Sequence, residues 1–96
     1  MIDVLLEQLK RRYTKVISER QGDYVLAILT HNNAEFALCI NNAKSEYLYG
    51  KMISIEKLHI FDCEELELSP HGLYIYAKTP EEFIEKLPVK LKYLKP

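Results

Sequence analysis

The chain has 96 residues, enough for one domain with a modest core and too few for two. Hydrophobic residues make up 48% and charged residues 28%, a globular balance that excludes a disordered or fibrous chain. The formal net charge of −1 excludes a strongly basic or polyanionic surface overall, and the aromatic set is unusual, with seven Tyr and no Trp.

Ile2, Leu5, Leu6, Leu9 and Tyr13 recur at helical spacing and predict an amphipathic helix over Asp3 to Arg12. Asp3 reads as its N-cap, and the late bases Lys10, Arg11 and Arg12 suit the helix dipole. Val16 to Glu19, Tyr24 to Thr30 and Glu35 to Asn41 read as a three-stranded meander. Its turns fall at Gln21-Gly22-Asp23 and His31-Asn32-Asn33-Ala34, where Gly and Asn tolerate left-handed backbone. Tyr24 to Thr30 is apolar on both faces, which predicts a central strand covered on two sides. Residues 41–45 read as a loop. Beyond it Tyr47-Leu48-Tyr49 looks extended, Gly50 interrupts it, and Lys51 to Ile55 alternates as a strand does. Ile55 to Phe61 stays open between a strand and a short helix capped by Ser54.

Glu65 to Leu68 and Leu73 to Tyr76 alternate with period 2 around Ser69-Pro70-His71-Gly72 and predict a second hairpin. Thr79-Pro80-Glu81-Glu82 is a helix start, with Thr79 as N-cap, Pro80 in the first position and Glu82 closing a capping box. Phe83, Ile84 and Leu87 form the stripe of this short C-terminal helix, and Pro88 is expected to end it. Val89 to Leu94 alternates again and reads as an edge strand or an ordered tail. The fold class is therefore α+β, a single domain over 1–96: an N-terminal amphipathic helix, a mostly antiparallel sheet with a meander and a second hairpin, and a short C-terminal helix.

No apolar run reaches the roughly 18–20 residues of a membrane span, so no membrane partner is expected. Met1-Ile2-Asp3 has no basic n-region, and a cytoplasmic location is expected. There Cys39 and Cys63, with no CxxC, are expected to stay thiols, Cys39 as a small buried hydrophobe. Gly22, Gly50 and Gly72 are too scattered to form a phosphate cradle, and no nucleophile-elbow or zinc-protease motif occurs. His59 and Cys63 would share a helix face, yet further ligands at metal-site spacing are missing. A Cys63–His59 or Cys63–His71 dyad has acidic neighbours that disfavour a thiolate. A solvated acidic turn is the favoured reading there, with His31 and His71 as exposed loop residues. No catalytic residue, metal or cofactor is expected.

Charge is segregated beneath the small net value. Residues 1–55 carry net +1, residues 56–85 net −6 and residues 86–96 net +4. If the two ends meet, Lys10, Arg11, Arg12 and Lys15 would join Lys86, Lys90, Lys92 and Lys95 in a patch fit for phosphate backbone. The tyrosines form two i,i+2 pairs, Tyr47 with Tyr49 and Tyr74 with Tyr76, each on one face of a strand. Leu73 and Ile75 claim the core face, which turns Tyr74 and Tyr76 to the other side, either packed in a second small core or partly exposed. The expected function is a non-catalytic module that inhibits or regulates a protein partner. Its contacts would be Tyr47, Tyr49, Tyr74 and Tyr76, with Asp62, Glu64, Glu65 and Glu67 steering a basic surface. By size and absence of motifs alone, this fits the class of small inhibitors and immunity proteins of phages and mobile elements. The alternative is a small nucleic-acid-binding regulator using the basic ends, and a homodimer is compatible with both.

Overall fold

The computed structural model describes residues 2–41 and 46–94. Helix α1 spans Ile2–Arg12 and buries Ile2, Leu5 and Leu9, the stripe their spacing predicts. Asp3 is not the N-cap: it lies inside the first turn, where a carboxylate suits the positive end of the dipole. Strands β1 (Val16–Gln21), β2 (Tyr24–His31), β3 (Ala34–Asn41), β4 (Leu48–Ser54) and β5 (Leu73–Ala77) form one antiparallel sheet in chain order. The meander turns where expected, with Gly22 at φ 63° and Asn32 and Asn33 at φ 50° and 64°. Of the loop expected at 41–45, Asn41 belongs to β3 and the rest lies outside the described residues.

Strand β2 is central and covered on both faces. Val25, Ala27 and Leu29 enter the larger core, and Leu26 enters a smaller one behind the sheet. The larger core is closed by α1 and by α3 (Pro80–Tyr93), whose Phe83, Ile84, Leu87 and Leu91 are all buried. The smaller core is closed by helix α2 (Cys63–Leu68), which sets Cys63 and Leu66 against Ala37, Cys39 and Ile53.

Gly50 does not break the chain; β4 runs through it. A Cβ at this position would lie 2.8 Å from Phe83 Cζ and 3.3 Å from Leu38 Cδ1, so the missing side chain is what lets α3 dock. After β4, only Ile55–Lys57 turn helically, as a 3₁₀ turn, and Ser54 precedes it without a side-chain cap bond.

The second hairpin is overturned. Cys63 and Leu66, three apart, are buried together on one helix face, while Leu68, which alternation would bury with Leu66, is 79% exposed. Asp62 caps α2, its Oδ1 accepting the Glu64 N–H at 2.7 Å. Strand β5 pairs with β4 instead, in the register Met52↔Leu73 to Leu48↔Ala77. Gly72, at φ 103°, is where β5 enters the sheet, and a Cβ there would meet the Met52 carbonyl oxygen at 2.5 Å.

Pro88 does not end α3, and Val89 to Leu94 is not a strand. The helix continues to Tyr93 because Leu91 extends the stripe of Ile84 and Leu87 into the core and Leu94 packs at its margin. Burying one Leu is worth about 1.5–3 kcal/mol, comparable with the roughly 3 kcal/mol a helix-interior Pro costs. The predicted start is as expected: Thr79 Oγ1 accepts the Glu82 N–H at 3.1 Å. Glu82 Oε1 reaches back to the Lys78 N–H at 3.2 Å, one residue before the cap itself.

The thiol expectation is also overturned. Cys39 and Cys63 form a disulfide, with Cα atoms 5.5 Å apart, that joins β3 to the first residue of α2. The sequence placed the two residues 24 apart and could not show that helix and strand bring them into contact. Among the described residues, no helix is long and apolar enough to cross a membrane.

Gly50→Ala is expected to lower the free energy of unfolding by about 1–3 kcal/mol in urea denaturation, with partial recovery in the Gly50→Ala/Phe83→Leu double variant. Thiol titration of the native protein is expected to find no reactive cysteine. Cys63→Ser is expected to destabilise by about 3 kcal/mol through the released loop entropy.

Candidate interaction surface

The face of the sheet behind the larger core is covered unevenly. Helix α2 is only 6 residues long and reaches β2, β3 and part of β4. Beyond it the same face presents Tyr49 and Lys51 from β4 and Tyr74 and Tyr76 from β5. Register sets Tyr49 directly opposite Tyr76 and Lys51 opposite Tyr74. The three rings pack on one another, with centroids 5.1 Å apart for Tyr49–Tyr76, 5.8 Å for Tyr49–Tyr74 and 6.4 Å for Tyr74–Tyr76.

Beneath the rings lies a charge that the sequence reading passed over. Lys51 is 2% exposed. Its Nζ donates to the carbonyls of Glu67 at 3.2 Å and Ser69 at 2.6 Å, the unpaired end of α2, and lies 5.2 Å from the centroid of the Tyr74 ring. Tyr49 Oη donates to Glu67 Oε2 at 2.8 Å. Glu67 Oε1 is buried with no hydrogen-bond partner among the described residues. Burial first, and then the hydrogen bond and negative charge of Glu67, hold the Tyr49 hydroxyl well above its ordinary pKa of 10.0. The available signal for Lys51 was its place between Tyr49 and Ile53 in the alternation of β4, the one cation in an apolar strand.

The expected contact residues therefore divide. Tyr74 and Tyr76 are exposed, at 41% and 57%, while Tyr49 is half-buried support. Tyr47 precedes β4, so it does not complete a strand pair with Tyr49; it is exposed at one end of the cluster, with Lys78 Nζ 6.0 Å from its ring. In the acidic run, Asp62 is a cap and Glu67 is bound to Tyr49, so neither is a free steering charge; Glu64 is exposed and Glu65 half-buried. Gln21 clamps this segment to β1, donating to the Phe61 carbonyl at 3.2 Å and accepting the Cys63 N–H at 2.8 Å.

The basic ends are not centred on one contact. Gln8 of α1 bonds Glu81 at the start of α3, whereas Lys90 and Lys92 lie about 14 and about 17 Å further along that helix at about 1.5 Å per residue. Arg11 pairs with Glu7 and Lys86 with Glu82. Lys10, Arg12 and Lys15 are exposed, and Lys95 lies outside the described residues. Lys86 and Lys90 instead join Tyr74 and Tyr76 around a groove of about 440 Å³, together with Glu85 and Val89.

The Cys63 readings are removed by the disulfide, which leaves no thiolate for a ligand or a nucleophile. His59 and His71 share a surface hollow with Glu65. Among the described residues, no group of three or more His, Cys, Asp or Glu is placed to hold a metal. His31 is not in a loop: it ends β2, half-buried, with its ring edge-on to Tyr13 at 5.9 Å.

Tyr49→Phe leaves the Glu67 carboxylate buried without its donor and is expected to destabilise by about 1–3 kcal/mol. A phenol whose pKa is raised by folding keeps its proton while the unfolded chain loses its own. The stability it contributes is intact below pH 10.0 and is lost as the pH rises above that value. Tyr13, raised by burial, acts in the same direction. Unfolding followed from pH 8 upward is expected to show an alkaline fall that Tyr49→Phe makes shallower.

Comparison of the chain with protein-family models, with curated proteins and with solved structures finds no match.

Proposed function

We propose that this protein is a non-catalytic interaction module that inhibits or regulates a protein partner, and that it docks through Tyr74 and Tyr76. One observation carries the reading: two large aromatic side chains stand exposed side by side where α2 stops short of β5, and a packed network of Tyr49, Lys51 and Glu67 holds them from below. Rigid aromatic anchors of this kind lose little conformational entropy on binding and dominate the energetics of contact surfaces. Tyr47 and Lys78 extend the surface at one end, and Lys86 and Lys90 border it on the α3 side. The nucleic-acid reading has less support, since the basic groups of α1 and α3 are partly paired with acids and the last turn of α3 lies far from the point where Gln8 meets that helix.

The Tyr74→Ala/Tyr76→Ala double variant is expected to fold, destabilised by about 1–3 kcal/mol through the lost ring contacts with Tyr49 and Lys51. It is expected to lose the partner that the parent chain retains from a lysate of its native host, and to lose any effect on that partner's activity. Retention of the same partner by the double variant overturns the reading.

A further inference from the structure

Strand β5 is the outer strand of the sheet, paired on one side only, with β4. Helix α3 packs beside it and turns Glu85, Lys86, Val89 and Lys90 toward Tyr74 and Tyr76, so the groove runs between a sheet edge and a helix. Val89, 54% exposed, gives the helix wall an apolar centre, and the two rings give the strand wall another. Lys86 Nζ donates to the Tyr76 carbonyl at 2.7 Å and has only a loose ion pair with Glu82, at 3.8 Å. An ammonium on an edge carbonyl blocks strand addition until something else satisfies it. The other edge, β1, carries the exposed charges of Glu19 and Arg20.

We infer that the groove receives an extended acidic segment of the partner, which adds a strand to β5. The inference rests on the aromatic docking reading and names the chemistry of the partner. A carboxylate of the incoming segment takes the Lys86 ammonium as a stronger, charge-assisted acceptor, and Lys90, one helical turn on, meets a second acid. The Tyr76 carbonyl is then free for the backbone ladder. Side chains on one face of the added strand meet Tyr74 and Tyr76 and those on the other meet Val89 and the lysines of α3, and the backbone bonds give affinity while these contacts give specificity. Glu85, the one acid of the groove, disfavours a second acid close to it and so helps to set register.

The test is selection from a phage-displayed library of random linear peptides against the intact protein. Selected peptides are expected to carry Asp or Glu within an alternating apolar pattern. A synthetic selected peptide is expected to bind Lys86→Glu/Lys90→Glu at least about tenfold more weakly than the parent. N-methylation of alternate backbone amides in that peptide is expected to abolish binding, because it removes ladder donors and leaves the side chains in place. Lys86→Met, which uncovers the Tyr76 carbonyl, is expected to select peptides with a weaker preference for acids. The inference is overturned if no peptide is selected, if the selected peptides lack acids, or if N-methylation or the charge reversal leaves binding unchanged. It is also overturned if the parent is a dimer that Tyr74→Ala/Tyr76→Ala dissociates, which would make a second copy the occupant. A partner lost by the tyrosine double variant while the peptide arm fails leaves the docking reading standing and removes strand addition alone. A partner still held by that variant removes the docking reading itself.

Discussion

The surface of this protein depends on one buried cation. Lys51 sits in an apolar strand at 2% exposure, and an ammonium in that position is destabilising unless its donors are met. They are met by the carbonyls of Glu67 and Ser69, which a helix end leaves unpaired in any case. Two deficits cancel: the cation needs acceptors, and the C-terminus of α2 needs donors and favours positive charge. Fixing Lys51 to α2 also fixes Glu67, which accepts from Tyr49, and Tyr49 supports the rings of Tyr74 and Tyr76. The exposed aromatic pair is thus the outer layer of a network whose inner member is a lysine.

The second constraint is the seating of a helix too short to hold itself. Six residues cannot sustain an α-helix in isolation, because nucleation is unfavourable and few bonds follow it. Helix α2 is held by Asp62 at its start, by the disulfide and Gln21 at its first residue, by Leu66 in the smaller core and by Lys51 at its end. The same shortness has a consequence at the surface. A longer helix would have covered β5; this one stops, and the tyrosines remain at the surface.

The two sides of β5 then complement each other. Its core face, Ile75 and Ala77, is buried against the α3 layer, while its other face carries exposed rings. Helix α3 continues past Pro88, and this continuation places Val89 and Lys90 beside those rings. The groove at the sheet edge therefore exists because packing of Leu91 prevailed over a local helix breaker.

Local patterns determined much of this fold. The stripe of α1, the Gly22 and Asn32-Asn33 turns, the two apolar faces of β2 and the Thr79-Pro80 helix start all act within a few residues of chain, and each formed as its chemistry requires. The sequence also turned Tyr74 and Tyr76 away from the core, because Ile75 claims the other face of a period-2 strand. Tertiary structure alone decided the rest. Period 2 and period 3.6 both fit a stretch as short as Glu65 to Leu68, and burial of Cys63 with Leu66 selected the helix. Gly50 and Pro88 are breakers by propensity, yet the Phe83 ring, which a Cβ at Gly50 would meet at 2.8 Å, explains the first and a core stripe holds the second. The disulfide, the buried Lys51 and the groove beside α3 join residues far apart in the chain, and no local pattern carries the distance between them.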